Sequence, residues 1–144
     1  YNFGQQNPGR VARTIRLALK TALGCGILFF TATLVFNHEI VGLFIDKSYK
    51  AYDIAVDGIP YFAVSYLFFA LNIVGIGYYQ SIERARRATV ITLFRGTLFM
   101  LTGFLLLPPI LGIKGIWLAV PLAELLTLLL IIGIYLKDSF AIRR

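Results

Sequence analysis

Residues 58–82 read GIPYFAVSYLFFALNIVGIGYYQSI, and this stretch decides the fold. Its length matches the apolar core of a bilayer, about 30 Å thick. Its only strongly polar interior residue is Asn72. At about 1.5 Å rise per residue, Asn72 lies about 18 Å from Pro60 and about 15 Å from Ile82. An amide is therefore expected near the middle of the slab. The basic run Glu83-Arg84-Ala85-Arg86-Arg87 follows at once and anchors that end of the helix on the cytoplasmic side.

Working outward, the 144-residue chain is 58% hydrophobic with a mean hydropathy of +0.78. A soluble domain is nearer about 45–50% apolar, and one small core cannot hide the excess. The formal charge of +7 raises nucleic acid as a partner. No basic groove interleaved with aromatics is visible, and the cations sort to one side of a membrane instead. One cysteine, Cys25, and one histidine, His38, leave no zinc set or Cys/His catalytic pair, so no metal site and no cofactor are expected. Cys25 reads as a small packing residue and His38 as an interfacial one. The chain opens on Tyr1-Asn2-Phe3-Gly4, which reads as the interior of a longer protein.

Residues 1–16 read as a cytoplasmic loop and approach helix, with Arg10, Arg13, Arg16 and Lys20 on one helical face. The first span is expected over 17–36, with Ala18, Ala22 and Gly26 as a small-residue contact stripe. The second is 58–82, with Pro60 near its start. Its stripe Tyr61, Ser65, Phe68, Asn72, Gly75 and Tyr79 follows a 3.6-residue period. That stripe reads either as a helix-packing face with one interhelical amide bond or as the wall of a solvated cavity. The third span, 88–107, carries Arg95 about 10 Å inside the boundary, and Pro108-Pro109 is expected to stop it. The fourth, 115–136, has Trp117 at the outer interface, Pro121 as a loosening point and Glu124 about 14 Å from Gly115. Arg95 and Glu124 are intramembrane charges, hence candidates for a buried structural pair or for a gating contact. A buried carboxylate without a partner would tend to hold its proton.

The fold class is thus an all-α integral membrane bundle of four transmembrane helices. Arg10, Arg13, Arg16, Lys20, Arg84, Arg86, Arg87, Arg95, Lys137, Arg143 and Arg144 fall on or just inside one side. Lys47, Lys50 and Lys114 fall on the other. Both ends are therefore expected on the cytoplasmic face of the cell membrane.

The order YNFGQQNPGRVAR, VGLF, GIPYF, GYYQSIERARRA, TLFRG and GIKGIWLAVPLAELLT resembles the multidrug and toxic compound extrusion (MATE) transporters over about residues 1–137. The resemblance implies two six-helix lobes around a central cavity, with this chain as helices nine to twelve. It implies export of amphipathic or cationic compounds in exchange for protons or sodium. Sodium-coupled members carry an acid in the helix matching 58–82, at about Phe69. Here that helix holds no Asp or Glu, so no sodium site is carried over, and the coupling acid is expected in the first lobe.

The function expected is a cation-coupled multidrug antiporter working by alternating access. Tyr61, Ser65, Phe68, Asn72 and Tyr79 are the candidates for substrate contact. Its partners are then the bilayer, small amphipathic or cationic substrates and the remaining helices of the transporter. A lipid-linked oligosaccharide flippase of the same superfamily is the alternative. A membrane-embedded enzyme would need acids, histidines or a Ser/Lys pair clustered at depth, which the spans do not offer. A purely structural membrane subunit is the remaining reading.

Overall fold

The computed structural model describes residues 8–142, with side chains from Gly9 to Asp138. Residues 1–7 of the loop and approach helix expected over 1–16, and the cations Arg143 and Arg144, lie outside the described residues. Among the described residues seven α-helices and one π-helical segment follow one another: α1 (Pro8–Val35), α2 (Asn37–Gly42), α3 (Lys50–Ala63), α4 (Ser65–Ser81), α5 (Ala85–Leu93), the π segment (Phe94–Phe99), α6 (Met100–Leu111) and α7 (Ile113–Ile142). Among the described residues there is no strand. The chain is an all-α membrane bundle.

Three helical stretches are long and apolar enough to cross a bilayer: Gly9–Val35, Ala85–Leu111 and Ile113–Asp138. A bent pair, α3 and α4, whose axes differ by 42°, is apolar and long enough only when the two helices are taken together, and makes a fourth crossing if it is one span. This corrects several boundaries. The approach segment is not separate, because α1 runs unbroken from Pro8 through the charged face into the apolar stretch. The helix before Val64 begins at Lys50, so Pro60 sits in its interior and not near its start. One turn beyond Pro60 the regular bonding fails, and the Val64 N–H turns to the Phe62 carbonyl. Prolines 108 and 109 do not stop their helix, which continues to Leu111. The Gly112 N–H bonds the Pro108 carbonyl at 2.8 Å, and Gly112 then ends the helix at φ 62°. A side chain there would be strained, so the turn requires glycine.

α4 packs between α1 and α7, and α7 also receives α3, the π segment and α6. Of the apolar window in α7, 39% is buried, against 11% for α1 and for α5–α6, so α7 is the hub. Small residues set the close approaches. A Cβ on Gly26 would lie 2.9 Å from the Tyr66 carbonyl, and one on Gly103 2.8 Å from the Ala119 carbonyl. Lipid removes the hydrophobic drive between helices, so such backbone-to-backbone fits hold the bundle. Ala18 and Ala22 are half-buried on the Gly26 side, whereas Cys25 is exposed.

Two buried clusters flank the bundle. Ile76, Tyr79, Ile82, Ala88, Ile91 and Ile131 join α4, α5 and α7 near the basic end. Val41, Tyr52 and Val56 dock α2 on α3 at the opposite end. There the Tyr52 hydroxyl donates to the His38 carbonyl at 3.2 Å and stands 3.1 Å from His38 Nδ1. Large apolar side chains such as Leu28, Phe29, Leu105 and Ile110 remain exposed, as suits a surface facing hydrocarbon.

Candidate functional site

Arg95, Glu124 and Asn72 meet inside the bundle, one from each of three packed elements. Arg95 stands in the π segment, where one turn carries an extra residue and re-aims the side chains around it. A Cβ added at Gly96 beside it would meet no other part of the bundle within 4 Å, so that side of the turn is open. Glu124 lies on α7, next to a stripe of buried small residues, Ala119, Ala123 and Thr127. That stripe lets α6 come close and keeps the carboxylate away from lipid. The Thr127 hydroxyl donates to the Ala123 carbonyl at 2.7 Å, so it adds no free polar group. Asn72 comes from the middle of α4 and is 0% exposed.

Arg95 Nε and Nη2 both donate to Glu124 Oε1, at 2.9 and 2.7 Å. Asn72 Nδ2 donates to Glu124 Oε2 and to the Glu124 backbone carbonyl, each at 2.8 Å. The Glu124 side chain is 5% exposed and that of Arg95 18%. Opposite charges this close, with each carboxylate oxygen accepting a hydrogen bond, offset the cost of taking both ions out of water. The outer face of the guanidinium is covered by the Phe69 ring, 4.7 Å away. Asn72 Oδ1 is buried with no donor. An orphaned acceptor of this kind costs about 1–3 kcal/mol, a sign that the site is not tuned for stability alone.

The remaining candidates lie elsewhere. Ser65 is buried at the start of α4. Tyr79 is buried in the cluster near the basic end, its ring 5.9 Å from the Arg87 guanidinium. Phe68 and Tyr61 are half-buried, and Lys114 stands 5.7 Å from the Tyr61 ring at the opposite end. Asn72 thus joins the two charges, while Tyr61, Ser65, Phe68 and Tyr79 do not meet them. A cleft of about 1190 Å³ opens on another side of α4, between α1 and α7. Val74, Tyr78, Leu128, Ile132, Tyr135 and Arg16 line it, and of the candidates only Tyr79 reaches it.

At the basic end, Arg84 and Arg87 both pair with Asp138, the Arg84 contact at 2.5 Å. This ties the start of α5 to the end of α7. In the loop at the opposite end, Ser48 donates its N–H and its hydroxyl to Asp46, which lowers the carboxyl's pKa below its ordinary value.

Sequence reasoning missed Phe69 as a partner of Arg95. It gave Arg95 and Glu124 as candidates for a buried structural pair but did not connect Asn72 to them. The available signal was depth: Asn72 and Glu124 are both well inside the slab, and a guanidinium on a long stem reaches several ångströms further inward.

A family model described as MatE matches residues 1–106. Asn72 and Arg95 fall within the match and Glu124 beyond it. No curated protein and no solved structure matches the chain.

Proposed function

The chain belongs to the MatE family, a family of membrane transporters and not of enzymes, and from this premise we infer that it serves a cation-coupled antiporter working by alternating access. Two lobes would rock around a midplane cavity, and uptake of a proton or sodium ion would bias which side is open. The observation that carries this reading is the Arg95–Glu124–Asn72 network, which ties α4, the π segment and α7 together at depth. A rocking lobe has to move as one body, and a charged link buried among three helices supports that. Ionisable residues at such depth are rare unless the protein uses them.

In this reading the cargo is amphipathic, the membrane is the cell membrane, and the ends of the chain face the cytoplasm. The test is transport by the full-length protein in proteoliposomes, with pH and sodium gradients imposed separately. Gradient-driven movement of ethidium or of a neutral apolar dye supports an antiporter. Dye movement indifferent to both gradients removes the coupling, and no movement of any probe removes the reading.

A further inference from the structure

The Arg95 guanidinium carries five N–H donors, and Glu124 uses only the side formed by Nε and Nη2. Among the described residues Nη1 has no hydrogen-bond partner and is not fully buried, the Arg95 side chain as a whole being 18% exposed. The end formed by Nη1 and Nη2 is the geometry that grips a carboxylate, sulfonate or phosphate through two parallel hydrogen bonds. Beside it, Phe69 is 44% exposed and Ile73, one turn along α4, is 49% exposed. The open guanidinium end therefore borders an apolar ledge.

The inventory of unused hydrogen-bonding groups favours the same class of ligand. Among the described residues Glu124 is the only acid placed deep in the spans, and it is already paired with Arg95 and bonded by Asn72. A visiting cation finds no unpaired carboxylate on this ledge. A visiting oxyanion finds free donors that carry positive charge in a low-dielectric setting, where such bonds are strongest.

We propose that this ledge is a binding site for the oxyanion of an amphipathic substrate. The anionic group sits on the Nη1/Nη2 end of Arg95, and the apolar body lies along Phe69 and Ile73. The proposal rests on the transporter reading and departs from the cationic cargo expected from the sequence. The oxyanion can belong to a free compound or to a lipid headgroup.

The experiment uses the full-length protein in proteoliposomes and two probes with one aromatic body: 1-anilinonaphthalene-8-sulfonate, an anion, and N-phenyl-1-naphthylamine, which is neutral. NBD-labelled phosphatidylglycerol and phosphatidylcholine form the lipid arm, and ethidium is the cationic control. Arg95→Lys keeps a charge for Glu124 but has no second edge to offer. The expected result is a preference for the anionic probe in the wild type. The kcat/KM ratio of anionic to neutral probe should fall about tenfold or more in R95K, as for the loss of one charge-assisted pair. If R95K does not reach the membrane, the neutral double variant R95Q/E124Q supplies the same ratio. Arg95-dependent flipping of phosphatidylglycerol without movement of the sulfonate supports the site with a lipid as the source. Transport of ethidium or the neutral probe with no anion moved, or an unchanged ratio in the variants, overturns the proposal and leaves the transporter standing. Failure of every probe under every gradient overturns both.

Discussion

Arg95 and Glu124 share a single carboxylate oxygen: Nε and Nη2 both bond Oε1, and Oε2 is left to Asn72. The carboxylate is therefore a junction between three elements and not one half of a simple pair. Its loss should be felt on α4 as well as on the π segment.

Glu124→Gln leaves the half-buried Arg95 without a counter-charge. Breaking such a pair from one side costs about 3–5 kcal/mol, whereas removing both charges together costs less. The expected order of thermal stability in detergent is wild type, then R95Q/E124Q, then E124Q, with transport impaired in both variants. Equal melting of E124Q and the double variant would show that the charges do not stabilise each other. Wild-type transport by E124Q would remove Glu124 from the mechanism.

Gly103 faces the Ala119 backbone with no space for a side chain. Gly103→Leu should push α6 off α7 and cost about 1–3 kcal/mol. Gly77→Ala, where nothing lies within 4 Å, is the matched control and should melt at or slightly above wild type. A G103L protein as stable as G77A would mean that the approach is not tight.

The π segment holds one residue more than an α-helical path needs. Deleting Gly96 should therefore leave α5 and α6 in register while turning Arg95 away from Glu124. Deleting Leu105, inside α6, should turn everything beyond it by about 100°. The expected finding is a folded ΔGly96 protein with poor transport, beside a much less stable ΔLeu105 protein. Equal destabilisation by the two deletions would argue against an extra residue in the segment.

Topology is open to labelling in a Cys25→Ser background. Ser48→Cys, in the exposed loop between α2 and α3, should react with an impermeant maleimide on intact cells. Ala85→Cys, exposed at the start of α5, should react only after permeabilisation. The reverse pattern would invert the bundle.

The apolar stretches were readable from composition and length, since lipid imposes one solution on every spanning backbone. The Ala18–Ala22–Gly26 stripe was readable for a similar reason, because small residues at four-residue spacing have few other uses. Helix ends were less legible. Pro108 and Pro109 look like a stop, yet the helix needs only the Pro108 carbonyl to reach Gly112. The bend at Val64 was hidden because Pro60 could equally begin a helix. At the site, Asn72, Arg95 and Glu124 each stood out as polar groups at depth. Their meeting depended on how α4 and the π segment rotate against α7, which periodicity within one helix does not encode. Phe69 was invisible as a partner because an apolar residue in an apolar helix carries no local signal.

Gly112 alone separates α6 from α7. With a one-residue connection, the two helices are expected to leave the ribosome and enter the lipid as a hairpin. Arg95 precedes the hairpin tip and Glu124 follows it, so each charge can cross the headgroup layer beside its opposite, and neither arm has to be tolerated by hydrocarbon alone. A nascent chain truncated at Leu111 should then integrate poorly in a glycosylation-based insertion assay, and one extended past Ile142 should integrate fully.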